Sequence, residues 1–139
     1  MTTLATAALV RLSDTDLMVA DPGEDIRGRH VLDKSGEKLG KVHDLLIDED
    51  EHKVRLMLVE HAGVLGINRE KSLIPIDAIT RITSDDVYVD LSLHLIAGAS
   101  DYDPEIINDR AYYTGLYGYY GYAPYWADSY LYPRYPYYL

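Results

Sequence analysis

Residues Asp33 to Gly63 read DKSGEKLGKVHDLLIDEDEHKVRLMLVEHAG, a stretch that commits the chain to a β-hairpin and to whatever can be built around one. A turn, Asp33-Lys34-Ser35-Gly36, precedes an apolar run from Gly40 to Asp48. An acidic turn, Asp48 to His52, reverses the chain into a second run, Lys53 to Glu60. Side chains alternate along a strand, so Val54, Leu56 and Leu58 share one face and Arg55, Met57 and Val59 the other. The first set is expected to form the core. The second, half apolar, is expected on the outer side, with Arg55 facing water. The first run is less regular, because Val42 and Leu46 have one parity and Leu45 and Ile47 the other. Two readings are open: a β-bulge near His43-Asp44 that re-aims the side chains, or a strand buried on both faces. The bulge suits the bent strands of a small barrel.

Other short strands flank the hairpin. Leu9 to Leu12 alternates weakly and reads as an edge strand. Asp21-Pro22-Gly23-Glu24-Asp25 is a breaker-rich loop leading to a strand from Ile26 to Leu32, with Arg27, Arg29 and His30 outward. Pro75 lacks an N–H, which places Leu73 to Ile76 at a sheet edge or bend. Val87 to Leu91 closes the series. Short strands at roughly ten-residue spacing, separated by turn signals, indicate a β-sandwich or barrel.

The run Gly36-Glu37-Lys38-Leu39-Gly40-Lys41-Val42-His43-Asp44-Leu45-Leu46-Ile47-Asp48 resembles the opening hairpin of the PRC-barrel family. That family is named for the photosynthetic reaction-centre H subunit and includes the C-terminal domain of the ribosome maturation factor. Gly63-Val64-Leu65-Gly66-Ile67 is similar to its glycine-framed apolar loop, Leu73 to Ile79 to its Ile-Pro strand, and Val87-Tyr88-Val89 to its closing strand. The resemblance implies a mainly β fold, a small PRC-type barrel over residues 9–92. A flexible stretch, 1–8, precedes it, and a helical, then Tyr/Gly/Pro-rich extension, 93–139, follows. It implies a non-catalytic protein-interaction module, self-associating as a homodimer and serving a protein partner. Two other roles follow from family members. One is an RNA-processing or ribosome-assembly accessory that binds a ribosomal protein, against which the chain has no room for a separate N-terminal barrel. The other is a peripheral partner of a membrane electron-transfer complex, against which no spanning helix is visible.

Charge and composition narrow the chemistry. The formal net charge is −10, and no basic patch is visible in either half of the sequence. Direct nucleic-acid binding and anionic membrane surfaces are therefore disfavoured. Cysteine is absent, which removes disulfides, thiolate chemistry and Cys-ligated zinc, and fits a cytoplasmic protein. The apolar N-terminal run is too short for membrane insertion. His43, His52 and His61 recur every nine residues near Asp44, Asp50 and Glu60; the spacing repeats exposed hairpin positions, so they are expected in solvent and not on a metal. The turn Asp48-Glu49-Asp50-Glu51 lacks the pattern of a calcium loop. No nucleophile–base motif or phosphate-binding loop is present, so neither catalysis nor a cofactor is expected.

The extension is a different material. Asp103-Pro104-Glu105 has the form of a helix start, and a helix is expected from Pro104 to about Tyr117, ended by Gly118 or Gly121. Thirteen of the 14 tyrosines fall between Tyr102 and Tyr138, and there is no phenylalanine. Tyrosine combines a large apolar body with one hydroxyl that wants a partner. The segment is expected to dock on a barrel, its own or a second subunit's. An adhesive tail and a recognition platform for sugars, nucleic acid or redox partners are the other readings. The candidate partner-binding residues are Met57 and Val59 on the strand, Val64, Leu65 and Ile67 in the loop, and Tyr113, Tyr117, Tyr120 and Trp126 in the extension.

Overall fold

The computed structural model describes residues 9–14, 25–49, 51–62, 69–99, 110–133 and 135. Seven strands form one sheet: β1 (Leu9–Arg11), β2 (His30–Leu32), β3 (Lys38–Asp48), β4 (Val54–Ala62), β5 (Arg69–Pro75), β6 (Ile79–Ile82) and β7 (Asp86–Val89). The order is β5-β4-β3-β2-β7-β6, and β1 pairs with the far half of β3. The long β3 is the spine. It carries β4 along one edge; on the other, β2 pairs with its first residues and β1 with Leu46 to Asp48. The described strands show no β5–β6 pairing, so the hydrogen-bonded ladder stays open there. The 3₁₀ turn Ile76–Ala78 joins these two edges directly. Pro75, the last residue of edge strand β5, sits where no ladder bond is lost.

The hairpin turn closes with Asp48 and His52. The Asp48 carbonyl accepts from the His52 N–H at 2.9 Å, and His52 takes the left-handed conformation at φ 57°. Two bulges then shape β3 and β4. Val42 pairs with Val59 but Asp44 with Leu58, so His43 is the extra residue, as the sequence pattern suggested. Leu45, Leu46 and Ile47 are nonetheless all fully buried, so the strand is bulged and covered on both faces. The second bulge lies between Leu46 paired with Leu56 and Ile47 paired with Val54, which leaves Arg55 as the extra residue. A bulge bends the strand and redirects its side chain.

Residues paired across neighbouring strands share a face. Met57 pairs with Leu45 and Ile74, and Val59 with Val42 and Ser72. The next row on this face runs from His61 through Gly40 and Val31 to Val87. Met57, Val59, His61, Val31 and Val87 are all fully buried, and this is the barrel interior. The opposite face runs from Leu56 and Leu58 into the row His30–Lys41–Glu60–Lys71, which is partly or wholly exposed. The parity expected from the sequence is therefore corrected: Met57 and Val59 point inward, and the Leu56–Leu58 side is outer. That outer side is also buried, so alternation alone had nothing polar to mark it.

Gly40 has a packing reason. A Cβ there would lie 2.3 Å from the Glu60 carbonyl oxygen and 3.0 Å from Val59 Cγ1. Backbone on a paired strand cannot yield cheaply. Gly40→Ala is expected to cost about 3 kcal/mol, the upper range for overpacking. Gly118→Ala, where a methyl meets nothing within 4 Å, is expected to stabilise by roughly 0.5–1 kcal/mol through helix propensity. Thermal unfolding of the two variants checks both signs.

Among the described residues two helices follow β7. Leu93 to Ile96, an apolar patch in the sequence, opens the short helix α1 (Leu93–Ala97), capped by Ser92 Oγ accepting from the Leu95 N–H at 3.1 Å. The expected helix start at Asp103-Pro104-Glu105 lies outside the described residues. The helix itself, α2 (Arg110–Tyr120), buries Tyr113, Leu116, Tyr117 and Tyr120. That spacing of three and four is one helical face. Gly121 ends it at φ 87°. The Tyr122 N–H donates to Tyr117 O at 2.9 Å and Gly121 N–H to Gly118 O at 3.1 Å, a Schellman closure that needs glycine at this step.

Candidate interaction surface

The second bulge delivers Arg55 to the end of the sheet, where the hairpin turn and the Ile76–Ala78 corner meet. Arg55 is only 4% exposed. Its Nε donates to Asp48 Oδ2 at 2.7 Å and its Nη2 to Glu51 Oε1 at 2.7 Å. The expectation that Arg55 faces water is overturned. A lone charge in an alternating strand normally marks the wet face; here the acidic turn seven residues upstream folds back to pair with it.

The extension covers this pair. The Arg55 guanidinium lies 4.7 Å from the Tyr125 ring centroid, 5.3 Å from Tyr132 and 6.0 Å from Tyr130. Tyr132 also donates to the Val54 carbonyl at 3.1 Å and lies under Lys53 at 5.0 Å. Behind them Tyr117 packs on Tyr125 at 6.4 Å and on Trp126 at 6.5 Å, and Arg110 stacks on Trp126 at 4.6 Å. Cation–π contacts of this kind contribute about 0.5–2 kcal/mol each, more when water is excluded. Burial works against the Arg55 charge, but the Asp48 hydrogen bond and the neighbouring acids outweigh it and hold its pKa above the ordinary value. The extension thus docks on its own barrel.

Asp77 belongs to the same cluster. Burial lifts its carboxyl above the ordinary range, against the pull of Tyr130 and Arg55. Asp77 Oδ1 and the Tyr117 and Tyr130 hydroxyls are buried without a hydrogen-bond partner of ordinary geometry. Burial, with Tyr130 and Asp77 close by, pushes the Tyr117 phenol far up, so it stays protonated. A raised folded pKa means the folded state holds the Asp77 proton more tightly than the unfolded chain. That contribution is complete below the ordinary value of 3.8 and is lost as pH rises through the raised one. The melting-temperature difference between Asp77→Asn and wild type should therefore rise in favour of the variant across that window, then level off. Calorimetry from pH 3 upward reads it; a flat difference would contradict it.

The other expected site residues separate. Met57 and Val59 are inside the barrel, and Tyr113, Tyr117 and Tyr120 are buried beneath the extension, so none presents a surface. Val64, Leu65 and Ile67 lie outside the described residues. Trp126 is half-buried and remains at the surface; later in the same segment Leu131 is 86% exposed, and Tyr122, Tyr130 and Tyr132 are half-buried. Of the three histidines, His43 and His52 are exposed as expected. His61 is not: it is fully buried, with Nε2 2.8 Å from Ser72 Oγ and Nδ1 2.7 Å from the Ala62 carbonyl oxygen. This Ser–His contact lies between β4 and β5, with both side chains fully buried. Asp44, the neighbour of His43, is buried and accepts from Leu45 N–H, Ser13 N–H and Ser13 Oγ. It ties the turn after β1 to the first bulge. Among the described residues no three acidic or histidine side chains converge as a metal site, and no helix is long and apolar enough to cross a membrane.

No curated protein matches the chain. The PRC-barrel domain profile matches residues 18–93, which takes in β2 to β7 and stops at the first residue of α1. With a match over more than half of its length and a seven-stranded sheet built on a bulged hairpin, the chain belongs to the PRC-barrel domain family, a protein-interaction fold.

Proposed function

We propose that this protein is a non-catalytic interaction module that associates with itself through the outer surface of its extension, in the cytoplasm. One observation carries the reading: Leu131 stands 86% exposed in a stretch of chain, 122–132, whose Tyr122, Trp126, Tyr130 and Tyr132 are half-buried. An exposed apolar side chain flanked in sequence by partly exposed aromatic ones suits an interface, and Tyr and Trp supply contact area at low entropic cost. The polar groups that resemble catalytic parts are committed elsewhere: His61 and Ser72 to each other, Asp44 to Ser13, Asp48 to Arg55. A second copy offers the same surface, so a two-fold pair is self-complementary.

Sedimentation equilibrium over a wide concentration range tests this. The expected result is a dimer that shifts to monomer in Leu131→Glu, with an unchanged far-ultraviolet dichroism spectrum because the residue is not part of the hydrophobic core. A monomer at all concentrations, or a dimer indifferent to Leu131→Glu, overturns the reading.

A further inference from the structure

The end of the sheet away from Arg55 holds a second feature, one that the charge of each sequence segment hides. Most described cations of this acidic chain are engaged. Arg27 pairs with Asp25, Lys34 with Asp90, Lys53 with Glu51, and Arg55 with Asp48 and Glu51. Arg81 and Arg110 lie over Tyr88 and Trp126, and Arg29 donates to the Thr83 carbonyl. Lys38, Lys41 and Arg69 make no ion pair with a described residue. All three line one groove of about 430 Å³, together with His30, and its apolar part is Leu39, Ala62 and Leu93.

The sheet register assembles it. His30 lies opposite Lys41 across β2 and β3, and Arg69 opposite Ala62 across β4 and β5. Cations far apart in sequence therefore meet on one side. Glu60 lies between Lys41 and Lys71 in the ladder, but it does not line the groove and closes no ion pair with either. Like charges gathered in one groove without closing an ion pair cost free energy. An anion that enters between them recovers that cost and gains charge-assisted hydrogen bonds.

We infer that this groove binds a compact organic dianion: a doubly charged phosphate or dicarboxylate head held by Lys38, Lys41 and Arg69, with a short apolar body against Leu39, Ala62 and Leu93. Its volume falls in the range of small-molecule sites. A polyanion does not fit the same facts. Nucleic acid gains affinity by neutralising many phosphates; here three cations sit on a chain of net charge −10, so a longer strand runs onto repelling surface. Leu93 is 37% exposed at the rim, which suits an apolar body more than a bare inorganic ion. The site lies at the opposite end from Arg55 and is independent of self-association through Leu131.

Amide chemical shifts of the full chain, titrated with phenyl phosphate, phthalate and neutral phenol, test it. At least one dianion is expected to give saturating shifts at Gly40, Ala62 and Leu93, while phenol gives none; the stronger dianion identifies the head group. The double variant Lys38→Gln/Arg69→Gln, at exposed positions, should weaken binding by about tenfold or more. Lys34→Gln, outside the groove, should leave it unchanged. No saturation at about 10 mM of either dianion, shifts that map away from the groove, or full affinity in the double variant overturns the assignment.

Discussion

Arg55→Ala is expected to unfold well below the wild type. Removing one partner of a buried, hydrogen-bonded ion pair leaves the other charge uncompensated and costs about 3–5 kcal/mol. In a domain of this size that lowers the melting temperature by on the order of 10 °C. The loss includes three aromatic partners, since Tyr125, Tyr130 and Tyr132 all lie against the guanidinium. Arg55→Lys should recover only part of it, because an ammonium cannot reach Asp48 and Glu51 as a fork or stack on a ring. Arg55→Met combined with Asp48→Asn should recover more than half. The neutral pair leaves no buried charge, and the new amide would keep an oxygen for the Glu51 N–H that Asp48 now accepts. Val54→Asp, at a fully buried position, should be comparably severe. An Arg55→Ala protein that melts within about two or three degrees of wild type would return Arg55 to the solvent face, where simple alternation put it.

Ending the chain at Ala99 should cost it cooperative unfolding altogether. The deletion removes Tyr113, Leu116, Tyr117, Tyr120 and Tyr135, all inside the one hydrophobic core. An aromatic buries roughly 150–250 Å², worth about 4–6 kcal/mol each at ~25 cal/mol per Å². Against a typical total stability of about 5–15 kcal/mol, the loss is too large to absorb even after the entropy of ordering the extension is returned. The truncated chain is expected to keep β-type circular dichroism in part, to bind a hydrophobic dye, and to melt without a sharp transition. A sharp transition close to that of the full chain would show the barrel to be self-sufficient and the extension an accessory.

Features that depend on near neighbours were legible. The His43 bulge followed from a parity change within five residues, Pro75 at an edge or bend from its missing N–H, and the helix end from the glycines Gly118 and Gly121, of which Gly121 is the one used. What escaped depended on partners distant in sequence. Arg55 looked wet because nothing nearby announces that residues 125–132 will cover it. Met57 and Val59 looked outer because a strand buried on both sides carries no polar face to set the parity. His61 looked like His43 and His52 because a nine-residue spacing cannot see Ser72 on the next strand. The cationic groove was invisible to a count by segments, since Lys38, Lys41 and Arg69 meet only when β3, β4 and β5 are in register.

Trp126, the one tryptophan, stands 5.1 Å from Tyr125 and beneath Arg110. Of the described tyrosines only Tyr88 belongs to the barrel strands. Intrinsic fluorescence is therefore almost wholly an optical signal of the extension: light absorbed by its tyrosines passes to a single emitter whose quenching depends on contacts made in the docked state. Far-ultraviolet dichroism, by contrast, reads mainly the strands. The two spectroscopies see different halves of one small molecule without any label. If barrel and extension are a single cooperative unit, their melting curves superimpose; any temperature interval between them measures how far the extension lifts away before the sheet gives.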